Sequence, residues 1–150
     1  MHPLQHASLD LNGWLVEHDP LPVSEFHDPH DACRFDARSV YVETYWLAIL
    51  GPSCVLAARR LVSWLEAEPG GFEISLAALA GSLGLGSGVG RHAPIVRTLT
   101  RLADFGLARV TDTYAVRAMF PPLSARQIAR LPDHLAAAHA TDRMAAVASR

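Results

Sequence analysis

Arginine is the side chain in this sequence with the clearest capacity for binding chemistry, because it is concentrated in one region. Residues 88–130 contain seven arginines against Asp104 and Asp112, which gives this region a net charge of +5. Residues 1–50 contain two arginines and eight carboxylates, a net charge of −6, whereas the whole chain carries only −2. A guanidinium group pairs with phosphate, and its planar fork matches the two acceptors of guanine. The sequence therefore predicts that an anionic ligand binds the region 88–130.

Side chains for catalysis do not form a recognisable pattern. All 13 basic side chains are arginine, and the missing lysine excludes a Walker phosphate loop, a Schiff-base enzyme and a protein-kinase ATP site. The glycine-rich run 84–90 contains no GxGxxG motif and follows no long apolar strand, so we interpret it as a turn between helices. No Ser–His–Asp set or pair of carboxylates stands out. We predict that the protein is not an enzyme and has no cofactor.

Cysteine and histidine allow two further hypotheses. His27, His30 and Cys33 are metal-ligand types at three-residue intervals, but Pro29 interrupts any helix that would align them, and no second ligand pair completes a site. We interpret this segment as a surface turn and predict no metal. Cys33 and Cys54 are either redox-sensing thiols, Cys54 with a pKa lowered at a helix start, or buried structural cysteines, and we favour the second. A disulfide is neither indicated nor excluded.

These side chains must be positioned by a set of short elements. Proline and aspartate punctuate residues 1–37, which predicts an irregular arm with at most a short strand or turn near Leu11–Val16. Apolar spacing and capping residues then predict the remaining elements. They are a helix over 39–50, a helix from Ser53, a short strand at 72–74, a helix capped by Ser75, a third helix from Arg91 to Phe105, a hairpin of 107–110 with 114–119, and C-terminal helices from Ser124 and Asp133.

This order of elements between Ser53 and Met119 resembles a winged helix-turn-helix domain. The run 102–109, Leu-Ala-Asp-Phe-Gly-Leu-Ala-Arg, is similar to the join between recognition helix and wing in small bacterial, actinobacterial-like, MarR-type regulators. The chain departs from the pattern in the long glycine-rich turn before the third helix and in a short wing loop without a basic tip. The fold class expected from the resemblance is mainly α with a small antiparallel β-hairpin.

The resemblance implies DNA binding through the third helix. In such domains this helix enters the major groove and the wing contacts the backbone. It implies base or phosphate contacts from the third helix and phosphate contacts from the hairpin. The residues concerned are Arg91, His92, Arg97, Thr98 and Arg101 on the third helix, and Arg109 and Arg117 on the hairpin. We expect a small transcriptional regulator that binds double-stranded DNA, forms a homodimer and lies in the cytoplasm without membrane contact.

A second hypothesis is a winged-helix adaptor that binds a protein rather than a DNA sequence. The segment 45–52 resembles the lead-in to the winged domain of replication-initiation adaptors, and the acidic arm offers a surface for a protein partner or could fold over the basic helix. We divide the chain into an irregular acidic arm (1–38), a winged helix-turn-helix domain with its leading helix (39–120) and a C-terminal helical extension (121–150).

Overall fold

The computed structural model describes residues 10–28 and 34–142 and contains helices packed against a four-stranded sheet. The helices are α1 (Leu11–Glu17), α2 (Leu47–Leu50), α3 (Pro52–Ala67), α4 (Leu76–Ser82), α5 (Pro94–Asp104), α6 (Ala125–Ile128) and α7 (Asp133–Thr141), and a π-helical segment (Val42–Trp46) leads directly into α2. The strands are β1 (Leu21–Phe26), β2 (Phe35–Asp36), β3 (Phe72–Ile74), β4 (Ala108–Val110), β5 (Tyr114–Arg117) and β6 (Met119–Phe120).

The sheet contradicts the fold class expected from the sequence. Four strands form one mixed sheet in the order β3-β1-β5-β4, and β2 pairs with β6 in a separate two-stranded sheet. Strand β1 is antiparallel to β3 and parallel to β5, while β4 and β5 form the predicted antiparallel hairpin. The expectation of a mainly α fold with one small hairpin is therefore wrong, because a strand from the N-terminal region joins β3 to the hairpin.

Strand β1 was missed because its sequence contains a proline, a residue typical of edge strands and loops. The register explains why Pro22 is tolerated. Residues 21–23 pair with β3 and residues 23–26 pair with β5, so at Pro22 the strand has a neighbour on one side only. A missing backbone N–H removes a ladder hydrogen bond only where a neighbouring strand lies on that side. The predicted irregular arm over residues 1–38 thus contains both α1 and β1.

The elements after residue 39 largely follow the sequence prediction. The helix before Gly51, the strand Phe72–Ile74 and the Ser75 cap of α4 are confirmed, with the Ser75 hydroxyl accepting the N–H of Ala78 at 3.0 Å. Helix α5 begins at Pro94, three residues later than predicted, because residues 91–93 form a turn. Helix α7 ends at Thr141, earlier than predicted, because Asp142 has an extended backbone; residues 143–147 of the predicted helix lie outside the described residues.

Helix α3 occupies the centre of the apolar core. Its buried side chains recur at helical spacing and include Val55, Ala58, Leu61 and Leu65. It packs against α5 and against the inner face of the sheet, to which Leu21, Val23, Tyr114 and Val116 contribute. Within the described part of the chain, no helix has the length and apolar character needed to cross a membrane.

A buried polar network fastens the C-terminal helix to the segment before α2. The N–H of Leu123 donates to the Tyr41 hydroxyl at 3.0 Å, and the same hydroxyl is hydrogen-bonded to Nε2 of His139 at 2.9 Å. Tyr45 donates to the Asp142 carboxylate at 2.9 Å, and burial together with this contact raises the pKa of Tyr45 to about 12. Burial lowers the pKa of His139, against the opposing effect of the Asp142 carboxylate.

The first prediction concerns β1. Leu21 is 0% exposed on the inner face of the sheet, whereas Leu56 is 52% exposed on α3. We expect Leu21→Ala to lower the free energy of unfolding by about 2–5 kcal/mol, since it leaves a cavity in the core. The matched variant Leu56→Ala should lower it by about 0.5 kcal/mol or less. Urea denaturation measures both; equal effects would contradict the central position of β1.

The second prediction concerns pH. Because the folded pKa of His139 is lowered, the unfolded state takes up the proton first as pH falls below the ordinary histidine pKa of about 6.5. The free energy of unfolding should therefore fall from pH 7 toward pH 5. His139→Gln, whose amide can accept from Tyr41 but does not titrate, should reduce this fall. The exposed His134→Gln on the same helix should preserve it, and a wild-type pH dependence in His139→Gln would exclude His139 as its source.

Candidate nucleic-acid interface

The solvent-exposed face of α5 forms the floor of an open groove of about 450 Å³. Pro94, Arg97, Arg101 and Asp104 recur on this face, while the opposite face of the helix is buried against the core. Asn12 of α1 and residues 50–54, where α2 turns into α3, also line the groove. The structure thus places two of the predicted arginines one helical turn apart in a concave, accessible surface.

Arg97 and Arg101 differ in how their guanidinium groups are engaged. Arg101 donates from Nε to the carbonyl of Leu50 and from Nη2 to the carbonyl of Ile49, both at 3.0 Å, so it caps the end of α2. Its guanidinium also lies 5.1 Å from the centre of the Phe105 ring. Arg97 is exposed, and its guanidinium forms no hydrogen bond or ion pair with any residue in the ranges 10–28 and 34–142. Arg97 is therefore the guanidinium in this groove that is free to bind a ligand.

Arg91 lies in the turn before α5 and is already paired. Its two terminal nitrogens donate to the two carboxylate oxygens of Asp10 at 2.6 and 3.0 Å. The pKa of Asp10 is lowered, first by the Arg91 contact and then by the N–H of Gly13, and the pKa of Arg91 is raised by the same pair. The neighbouring His92 is exposed in the same turn. Arg91 is thus close to α5 but is held by α1.

Thr98 is largely buried at the edge of the groove. It is 6% exposed, and its carbonyl accepts the Cys54 thiol at 3.6 Å. Thr98 also lines the groove with Arg97 and Arg101, and its assignment as a DNA contact stays a prediction. The spacing contained the signal for its burial: Thr98 is three residues after Ile95 and one before Leu99, on the buried side of the helix.

Arg109 and Arg117 occupy a different side of the molecule from Arg97 and Arg101. Arg109 is exposed while its neighbour Ala108 is buried, so Arg109 projects from the outer face of the sheet. Its guanidinium lies 3.9 Å from the centre of the Phe26 ring, and that of Arg117 lies 5.8 Å from it. Burial lowers the pKa of Arg117, although Asp28 opposes this effect. Since α5 packs on the inner face, the predicted residues form two separate groups.

Two residues of the groove region were not identified from the sequence. Asn12 donates from Nδ2 to the Arg91 carbonyl at 2.9 Å and accepts from the Thr100 hydroxyl at 2.8 Å. Asp10 caps α1 by accepting the N–H of Gly13 at 3.1 Å. An aspartate before an apolar run is a helix-start signal, which could have located α1. Nothing in the sequence indicates that α1 packs on a helix about 80 residues away.

Cys54 is a free, buried thiol, as the structural interpretation predicted. Burial raises the pKa of the Cys54 thiol, and nearby Arg101 only partly offsets this. The alternative of a lowered pKa at the helix start is therefore wrong. His27 pairs with Glu25, whereas His30 and Cys33 lie outside the described residues. Within the described ranges, no three side chains of histidine, cysteine, aspartate or glutamate are grouped to hold a metal.

Comparison of the chain with models of known protein families, with curated proteins and with solved structures found no match.

The third prediction concerns the Cys54 thiol. Its rate of reaction with a thiol reagent tests whether this side chain is buried in the folded protein. In a Cys33→Ser variant, where Cys54 is the remaining cysteine, reaction with Ellman's reagent should be slower than for the urea-unfolded protein by roughly tenfold or more. As the control, a Cys54→Ser variant gives the reaction rate of Cys33 alone. A native-state rate equal to that of the unfolded protein would contradict a buried, protonated thiol.

Proposed function

We propose that the chain binds double-stranded DNA through α5, as the recognition helix of a winged helix-turn-helix unit formed by residues 52–117. The observation that carries the proposal is the pair Arg97 and Arg101 in the open groove along α5, with Arg97 unengaged by any carboxylate of the described chain. Phosphate contacts position a DNA-binding protein, and arginine also reads guanine in the major groove. The groove-facing side of α5 therefore offers arginines for both phosphate and guanine contacts.

The arrangement of elements supports the winged helix-turn-helix part of this proposal. Between α3 and β5 the order is helix, short strand, two helices and a hairpin. Gly106 has a φ of 75°, its N–H donates to the carbonyl of Ala103, and the N–H of Leu107 donates to that of Leu102. These two bonds form a Schellman ending, after which buried Leu107 returns to the core. This is the join that the sequence resemblance implied.

The interface that we propose contains fewer side chains than the sequence predicted. We retain Arg97 and Arg101 as contacts of α5, with His92 and Arg91 at its N-terminal end. Arg109 and Arg117 are left out, because a duplex docked on α5 lies on the other side of the sheet from them. Action as a homodimeric transcriptional regulator is part of the proposal and rests on the resemblance alone.

A protein-binding adaptor is the second candidate, and exposed apolar side chains favour it. Val40 is 68% exposed just before the π-helical segment, and Leu56 is 52% exposed on α3, where it lines a shallow groove with Arg38 and Trp64. Exposed apolar surface of this kind is typical of protein contacts when it is contiguous. Because Leu56 is on α3 and Arg97 is on α5, separate substitutions can distinguish the two functions.

Fluorescence anisotropy with random-sequence duplex DNA over a salt series tests the proposed function. The slope of log affinity against log salt counts phosphate contacts at about 0.9 per phosphate. Arg97→Ala should weaken binding and reduce this slope by about 1, whereas Arg101→Ala is less informative because it also removes the cap on α2. The matched control is Arg130→Ala, an exposed arginine after α6. An absence of binding at low salt would exclude the DNA-binding function and favour the adaptor.

A further inference from the structure

Asp10 holds Arg91 in the geometry that a phosphate group would use. Its two carboxylate oxygens face the two terminal guanidinium nitrogens at 2.6 and 3.0 Å, a bidentate arrangement. Arginine pairs with phosphate through the same parallel donation. The Asp10 carboxylate therefore occupies the ligand-binding edge of the Arg91 guanidinium at the N-terminal end of α5.

The structure holds this carboxylate in place from two sides. Its Oδ1 accepts the N–H of Gly13, and α1 is fixed to α5 through Asn12, which bridges the Arg91 carbonyl and the Thr100 hydroxyl. Gly13 has no side chain, and a Cβ added there would lie 2.5 Å from Asp10 Oδ2 and 2.8 Å from Arg91 Nη1. A side chain at position 13 would therefore displace the ends of the Asp10 and Arg91 side chains from their present positions.

We propose that Asp10 is an intramolecular competitor of DNA phosphate for Arg91, so that α1 lowers the affinity of the α5 groove for DNA. This inference rests on the proposed function and adds a regulatory contact to it. When DNA binds, a phosphate replaces the Asp10 carboxylate on Arg91. Any condition that removes the negative charge of Asp10 or moves the first turn of α1 makes a further guanidinium available.

The competition is reversible because the pair lies at the surface. The side chains of Arg91 and Asp10 are 52% and 61% exposed, so water and salt screen their attraction. Leu15, by contrast, is fully buried and anchors the rest of α1. The exchange therefore requires only a rotation of the Asp10 and Arg91 side chains, not the release of the helix.

Asp10→Asn tests the proposal without removing the helix cap, since asparagine caps helices as well as aspartate does. We expect Asp10→Asn to bind random-sequence duplex DNA roughly threefold to tenfold more tightly than wild type at 50 mM salt, because a phosphate no longer has to displace a carboxylate from Arg91. The control for the lost charge is Glu68→Gln. Glu68 follows the last turn of α3, about 24 Å along that helix from the groove.

A second substitution separates masking from a general charge effect. Arg91→Ala should weaken binding by the wild type less than it weakens binding by Asp10→Asn, because in the wild type the Arg91–phosphate contact is offset by the loss of the Asp10–Arg91 pair. In the Asp10→Asn background the same substitution should cancel the gain. Equal effects of Arg91→Ala in both backgrounds, or equal gains in Asp10→Asn and Glu68→Gln, would overturn the competition while leaving Arg97-dependent binding intact. Binding by neither wild type nor Asp10→Asn would overturn the proposed function and the competition together.

Discussion

The parallel pairing of β1 with β5 is the interaction on which the positions of the other elements depend. It places residues 23–26 beside 114–117, while the other end of β1 pairs with β3. Strand β1 thereby joins β3 to the β4–β5 hairpin and completes the inner face of the sheet against α3. Because α1 precedes β1 by only three residues, the same pairing also keeps α1 against α5.

The contact between α1 and α5 determines the electrostatic character of the groove. Without such contacts, α5 and the turn before it would present Arg91, Arg97 and Arg101 together. In this protein Asp10 pairs with Arg91, and Arg101 donates hydrogen bonds to backbone carbonyls at the end of α2. Arg97 is left to face the groove with an unengaged guanidinium. The net charge of the region 88–130 therefore overstates how much of its positive charge is available to a ligand.

Buried hydrogen bonds attach the C-terminal part of the described chain to the segment before α2. Tyr41, His139 and the N–H of Leu123 form one chain of buried bonds, and Trp46 donates to the carbonyl of Pro121 at 2.9 Å. Buried polar groups stabilise a fold only when they are satisfied. This network joins the segment before α2 to residues after β6, so the predicted C-terminal extension, as far as Thr141, is part of the same core.

Local patterns in the sequence determined most helices, the β4–β5 hairpin and the arginine-bearing face of α5, because capping residues and apolar spacing act over a few residues. The glycine that ends α5 was predicted in the same way, whereas the burial of Cys54 was predicted because the sequence shows no resolving cysteine at a suitable spacing. The tertiary structure decided the rest. Pro22 made β1 hard to recognise from the sequence, because a proline inside this strand is tolerated only in a register that leaves one side of it without a neighbouring strand. Asp10, the partner of Arg91, is 81 residues away along the chain. Which face of the sheet carries Arg109 depends on packing between elements, and local periodicity contains no information about the partner across a sheet or a helix interface.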